Sequence, residues 1–214
     1  LNPVFVTAST CDLSEIGRYN LENIKKIGFD VVEISNDSKV RAKINKIGLE
    51  LLGDISWPEH VSIFTAPVKF ALAYNIPLIL WGDQGFTEQG GMHSINDFVE
   101  YTSKYRLEHA QHGYDWYDFM NIEGEELSKK ELFPYIYPDE MKIKEVGVRG
   151  IYLSNYIKWD PKSQHELMIK KYRYNTKKFS RTFDTYDHVD CVNYMNLHDL
   201  LKLVKHGYSK VTDH

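Results

Sequence analysis

The feature that most constrains this chain is the regular alternation of strand-like and helix-like segments in its N-terminal part. Short apolar runs at 4–8, 31–34 and 77–81, rich in β-branched residues, predict buried strands. Segments with apolar residues at helical spacing lie between these runs. Strands that alternate with helices predict parallel pairing through right-handed crossovers. We therefore expect these three strands to lie side by side in one α/β sheet.

Capping residues indicate where the first helices begin and end. Ser14 is a typical N-cap residue, and Gly28 suits the left-handed conformation that closes many helices. The apolar periodicity predicts a second helix over 38–52 and a third over 61–74. Pro67 falls inside the third helix, where it is expected to kink it or to set its start.

The pattern changes after residue 90, where short segments dense in aromatic residues and proline replace the regular alternation. Helices are predicted near 94–105, 163–172 and 196–206, and one further strand near 150–153. This half of the chain is therefore expected to be a mainly helical elaboration packed on the sheet.

Charge and apolar content argue against several classes of protein. The net charge of −4 and the pI near 6.1 are unlike those of a protein that binds nucleic acid through bulk positive charge. No stretch approaches the ~20 apolar residues that a membrane span needs. Cys11 and Cys191 form neither a disulfide framework nor a paired metal motif. We expect a cytoplasmic protein that binds neither nucleic acid nor membranes.

The segment 53–60 (GDISWPEH) is the first candidate for a functional site. It holds Asp54, Trp57, Glu59 and His60 just before a predicted helix. One interpretation is a wall of a substrate or nucleotide site. The other is an ordinary turn in which Glu59 caps the helix.

The segment 81–91 is the second candidate, because four glycines follow a predicted strand there. Glycine permits a close approach of the backbone to a ligand. Asp83 and Glu88 offer the oxygen ligands that Mg²⁺ prefers. In open parallel sheets, ligands bind beyond the carboxyl ends of the strands, where this segment and residues 9–12 lie. The alternative is a glycine-rich surface loop.

Two cations flank the strand predicted near 150–153. Arg149 and Lys158 are suited to balance negative charge that develops on a phosphate. The alternative is surface charge whose aliphatic stems cover aromatic rings. His165, His188 and His198 lack the paired spacing of a zinc motif, so they are interpreted as ordinary histidines.

Six segments of the chain resemble one known family when taken in this order and spacing. They are SEIGRYNLEN (14–23), GDISWPEH (53–60), IPLILWG (76–82), GVRGIYL (147–153), YIKWD (156–160) and YDHVDC (186–191). Together they are similar to the N-acetyl sugar amidotransferases of the PP-loop ATP pyrophosphatase superfamily. The resemblance runs from about Val4 to the last residue.

The fold that this resemblance implies is a Rossmann-like sheet of the PP-loop type. Members carry a Ser-Gly-Gly-Lys-Asp-Ser-type loop after the first strand, whose backbone N–H groups bind pyrophosphate. This sequence has neither that loop nor the Cys-rich N-terminal segment of the family. We expect that both precede Leu1, that the sheet is incomplete at its N-terminus, and that this fragment alone is inactive. Residues 1–92 would form the nucleotide-binding domain, and 93–214 would contact substrate and partner.

The activity that the resemblance implies converts a sugar's acetamido group into an acetamidino group. ATP, with Mg²⁺, adenylates the acetamido oxygen and releases pyrophosphate, and ammonia from a partner glutaminase subunit then displaces AMP. The substrates expected from the family are N-acetylated sugars on the routes to lipopolysaccharide, or to the pseudaminic and legionaminic acids of flagellin glycosylation.

The resemblance also assigns roles to individual residues. The expected nucleotide-binding residues are Thr7, Ala8, Ser9, Thr10, Trp81, Gly82, Asp83 and Glu88. Asp83 and Glu88 are also the expected Mg²⁺ ligands. The expected catalytic residues are Glu59 and His60, beside the reacting centre, with Arg149 and Lys158, which would contact phosphate or an acidic sugar.

Two other functions are compatible with the sequence. One is a different PP-loop ATP pyrophosphatase, which modifies tRNA or forms amides, although the acidic pI speaks against tRNA. The other is a non-catalytic scaffold for a glutaminase, which the missing pyrophosphate loop favours.

Overall fold

The computed structural model describes residues 2–9, 13–82, 100–122, 124–178 and 195–208. The chain is a mixed α/β protein with small sheets, and it divides into two compact units. The first unit comprises Leu1–Asn36, Gly53–Ile55 and Asp160–His214, and the second comprises Asp37–Leu52 and Ser56–Trp159. Because these units are defined by packing and not by function, the functional division at residue 92 stays a prediction.

The described strands and helices follow the predicted alternation. In chain order they are β1 (Val4–Ser9), α1 (Glu15–Ile27), β2 (Asp30–Ser35), α2 (Ser38–Leu52), α3 (Trp57–Ala73), β3 (Leu78–Trp81), α4 (Ser103–Tyr105), β4 (Asn121–Ile122), β5 (Glu125–Glu126), α5 (Lys129–Leu132), α6 (Glu140–Val146), β6 (Arg149–Tyr152), α7 (Pro161–Tyr172) and α8 (Met195–His206). A π-helix spans Arg106–Ala110, and 3₁₀ helices span Trp116–Phe119, Phe133–Tyr135 and Leu153–Asn155.

In the first unit, β1 and β2 pair in parallel and are connected by α1, as predicted. The Ser14 hydroxyl accepts a hydrogen bond from the Gly17 amide at 3.0 Å, and Gly28 adopts φ +108 at the other end of α1. Both predicted ends of this helix are therefore confirmed. The buried amide of Asn20 exchanges two hydrogen bonds with the backbone of Asn175, at 3.0 and 2.8 Å, and so holds the chain beyond α7 against α1.

In the second unit, β3 pairs in parallel with β6, from Leu78 beside Arg149 to Trp81 beside Tyr152. Among the described residues, β3 is not hydrogen-bonded to β1 or β2, which form a separate two-stranded sheet. The expected single sheet of three adjacent strands is therefore not confirmed. Strand pairing is selected by long-range packing, and here the aromatic side chains at the ends of β3 and β6 are buried together.

The helix α3 begins earlier than the apolar pattern predicts. It starts at Trp57, with Pro58 in its first turn, where a proline lacks only an N–H that would have no helical partner. Pro67 lies inside the helix and is buried. None of the described helices combines the length and apolar character needed to cross a membrane.

The helix predicted over 94–105 falls mostly outside the described residues. Of its last part, Glu100 forms an antiparallel bridge with Ile151 of β6, so it is extended and not helical. Helix begins only at Ser103, where the Thr102 side chain accepts a hydrogen bond from the Tyr105 amide at 3.2 Å. Pairing with β6 explains this difference, because backbone groups bonded to a strand are lost to a helix.

Two buried clusters form the core of the second unit. The first centres on Trp57, whose ring lies 4.0 Å from that of Phe119 and 6.2 Å from that of Tyr135. It consists of Ile44, Ile47, Trp57, Val61, Phe119, Leu127, Leu132 and Tyr135. The second consists of Phe64, Trp81, Tyr105, Ala110 and Tyr152, with Tyr101 stacked on Phe64 at 4.8 Å. Because α3 contributes to both clusters, it is the central element of this unit.

Gly150 allows β6 to pack closely beneath the second cluster. A methyl group at this position would lie 2.9 Å from the indole nitrogen of Trp81 and 3.0 Å from Cβ of Tyr101.

We predict that Gly150→Ala lowers the free energy of unfolding by about 1–3 kcal/mol, as overpacking of a dense core does. Chemical denaturation measures this change. Gly82→Ala is the matched control, since Gly82 is exposed and no atom of the described residues beyond its chain neighbours lies within 4 Å of a methyl group there. An equal loss in both variants would contradict the explanation.

Lys69 connects α3 to the 3₁₀ helix that begins at Phe133. Its ammonium group donates a hydrogen bond to the Phe133 carbonyl and lies 4.1 Å from the centre of the Phe133 ring. Burial lowers the pKa of Lys69 to about 8, because the partly desolvated charge is less stable than in water.

This lowered pKa predicts a pH dependence of stability. Between pH 8 and the ordinary lysine pKa of 10.5, the unfolded chain binds more protons at this site than the folded chain does. The free energy of unfolding should therefore rise with pH across that window, and this contribution should disappear in Lys69→Met. Urea denaturation at several pH values measures it. The exposed Lys144→Met is the control, and identical pH slopes in both variants would contradict the prediction.

Candidate functional site

The predicted site residues are distributed over both units. Thr7, Ala8 and Ser9 belong to β1 in the first unit. The other described members belong to the second unit, and they are Glu59, His60, Trp81, Gly82, Arg149 and Lys158. Thr10, Asp83 and Glu88 lie outside the described residues, so the nucleotide contacts of all three and the Mg²⁺ ligation by Asp83 and Glu88 stay predictions.

The carboxyl edge of the β3–β6 pair is the candidate site with the most suitable geometry. Trp81 and Tyr152 are the last paired residues of the two strands, so Gly82 and Leu153, which follow them, lie at the same edge of the sheet. Gly82 follows β3 and is exposed, and none of the described residues beyond its chain neighbours comes within 4 Å of where a side chain would begin. Lys158 lies beyond the 3₁₀ helix Leu153–Asn155 and is also exposed. Exposed backbone at the carboxyl end of a parallel strand is suited to an anionic ligand.

The side chain of Trp81 belongs to the core and not to the open edge. Only 8% of the residue is exposed, and its ring lies 5.0 Å from Phe64 and 5.7 Å from Tyr101. Burial among these rings also raises the pKa of the Tyr101 hydroxyl, because a phenolate would be desolvated there. The predicted nucleotide contact of Trp81 would therefore have to come from its backbone.

Arg149 lies at the opposite end of β6 from this edge. It pairs with Leu78 at the start of the strand, three residues before Tyr152, which corresponds to about 10 Å along the sheet. Its guanidinium donates two hydrogen bonds to the carboxylate of Glu100, one of them at 3.1 Å. This bond to Glu100 raises the pKa of Arg149. The structure thus gives Arg149 a carboxylate partner within the sheet, and its catalytic role stays a prediction.

Glu59 is buried in the first turn of α3, with 6% of the residue exposed. Its carboxylate accepts hydrogen bonds from the Asn45 amide at 3.1 and 3.3 Å and from Arg41 at 3.4 Å, both from α2. A buried carboxylate that is bonded to a cation and an amide joins the two helices. This geometry favours a positioning role for Glu59 over direct proton transfer.

His60 follows Glu59 and has a neighbour that the sequence analysis missed. The side-chain ligand atoms of His60 and His112 lie within 4.8 Å of each other. No motif connects two histidines so far apart in the chain. The His112-Gly113 pair, which follows a helical segment, is a weak local signal for an unusual backbone conformation at this turn. Both residues adopt positive φ there, at +54 and +84.

Comparison with models of known protein families and with characterised proteins finds no match.

The buried ion pair of Glu59 generates a stability prediction. In Glu59→Gln, the partly buried Arg41 guanidinium loses its charged contact with Glu59, so we expect the free energy of unfolding to fall by about 1–3 kcal/mol. Denaturation followed by circular dichroism measures the change. Glu22→Gln removes an exposed carboxylate that pairs with Lys25 at 2.7 Å, and it should leave stability nearly unchanged. Similar effects of both substitutions would show that burial of Glu59 contributes little.

Proposed function

We propose that this chain belongs to an ATP-dependent amidotransferase that converts a sugar's acetamido group into an acetamidino group, with ammonia from a partner glutaminase. The Rossmann-like nucleotide-binding fold of the PP-loop type is part of this proposal. The observation that carries it is the pairing of β3 with β6. This pairing brings two of the six family-like segments (76–82 and 147–153) onto one pair of parallel strands, and a third (156–160) follows β6 in the chain.

The carboxyl edge of this strand pair is suited to a nucleotide phosphate. Exposed backbone at Gly82 permits close approach. In this proposal the positive charge comes from Lys158, which is exposed and follows β6 in the chain. Asp83 and Glu88, which follow Gly82 in the chain, would hold Mg²⁺, which screens the phosphate charges of the bound nucleotide.

The chemistry requires activation because an amide oxygen is a poor leaving group. Transfer of AMP to the acetamido oxygen releases pyrophosphate, and the oxygen can then leave as part of AMP when the nitrogen of ammonia bonds to the carbon. In this proposal Lys158 stabilises the charge on the phosphate during the transfer. Glu59 positions the start of α3 through its hydrogen bonds to α2. His60 is the residue of segment 53–60 that flanks the reacting centre in this proposal.

The test uses the gene product at its full natural length. It is incubated with an acetamido sugar, ATP, Mg²⁺ and an ammonium salt, and mass spectrometry detects the replacement of oxygen by NH. We expect this product together with equal amounts of AMP and pyrophosphate. ATP that is cleaved without a change in the sugar would support a different PP-loop enzyme, and no ATP cleavage at all would contradict the proposal and favour a scaffold.

Lys158→Ala tests the role given to the open edge. Loss of a cation from the phosphate site should lower the rate of acetamidino-sugar formation by about 10²-fold, which is typical when a group that stabilises developing charge is removed. Lys144→Ala is the matched control, because Lys144 is an exposed lysine of α6. Equal rates in the two variants would remove Lys158 from the proposed site.

A further inference from the structure

His60 and His112 approach each other on a framework that is itself buried and hydrogen-bonded. The indole N–H of Trp57, one helical turn before His60, donates to the carbonyl oxygen of Gln111 at 3.1 Å. Gln111 directly precedes His112 and is only 1% exposed. The hydrogen bond therefore ties the first turn of α3, which carries His60, to the backbone that directly precedes His112.

Further bonds hold the turn that carries His112. The Gln111 side chain accepts a hydrogen bond from Arg106 at 2.7 Å and donates one to Asp115 at 2.9 Å. This turn follows directly from the π-helix Arg106–Ala110, a conformation that is frequent at functional sites. His112 itself adopts φ +54, which is uncommon for a residue with a side chain and persists only where the surroundings enforce it.

The chemistry of two adjacent imidazoles indicates which ligand would fit. Imidazole nitrogen is a common protein ligand for Zn²⁺, Cu²⁺ and Ni²⁺, whereas Mg²⁺ prefers oxygen. The ligand atoms lie within 4.8 Å of each other, so one ion between the rings requires only small side-chain movements. His112 is exposed and His60 is partly buried, which gives an ion access from solvent.

We propose that His60 and His112 form a binding site for one divalent transition metal ion of the zinc class, with water completing its coordination. Such an ion would join the start of α3 to the turn after the π-helix, both within the second unit. The proposal does not depend on the amidotransferase activity, because neither ATP nor a sugar takes part in it.

The experiment is a calorimetric titration of the chelator-treated protein with ZnCl₂ in the absence of nucleotide. We expect one equivalent of Zn²⁺ to bind, and MgCl₂ to produce no saturable signal under the same conditions. His112→Gln and His60→Gln should each weaken Zn²⁺ binding at least tenfold, because each removes one of the two protein ligands. The exposed His206→Gln of α8 should bind like the unmodified protein.

A second measurement separates loss of the site from loss of the fold. Zn²⁺ should raise the melting temperature of the unmodified protein and of His206→Gln, but not that of His112→Gln. His112 is exposed, so its substitution should leave the circular dichroism spectrum unchanged. Zn²⁺ binding of unchanged affinity in both His60→Gln and His112→Gln, or no saturable binding in the unmodified protein, would overturn the proposal.

Discussion

The second unit depends on the burial of one side chain, that of Trp57. Its ring is fully enclosed and packs on Phe119 at 4.0 Å, while its N–H bonds to the Gln111 carbonyl. An indole buried in this way contributes a large apolar area and also satisfies its single donor. Because Trp57 is the first residue of α3, this contact sets the position of the helix, and α3 in turn contributes Phe64 to the other aromatic cluster.

Two predicted site residues show how hydrogen-bond partners limit the role of a side chain. Glu59 has the chemistry of a general acid or base, but in the interior its carboxylate is bonded to Asn45 and Arg41. Arg149 similarly has the chemistry of a phosphate ligand, yet it pairs with Glu100 at the far end of its strand. The type of a side chain determines which reactions and contacts are possible for it. Its hydrogen-bond partners in the folded chain determine which of them it makes.

The two candidate sites of the second unit use different ligand chemistry. The carboxyl edge of β3 and β6 offers the exposed backbone of Gly82, which suits the close approach of an anionic ligand. The histidine pair offers neutral nitrogen ligands, which suit a transition metal ion. Both depend on α3, because β3 packs against its Phe64 through Trp81 and His60 lies in its first turns.

The sequence by itself determined the local structure, because capping and periodicity act between near neighbours. The ends of α1 at Ser14 and Gly28, and the whole of α2, follow from such signals. Only the tertiary structure decided that β3 pairs with β6, that Glu59 bonds to Arg41 and Asn45, and that His60 lies close to His112. These contacts join residues far apart in the chain. They depend on packing between the two segments, which no periodic pattern within either segment predicts.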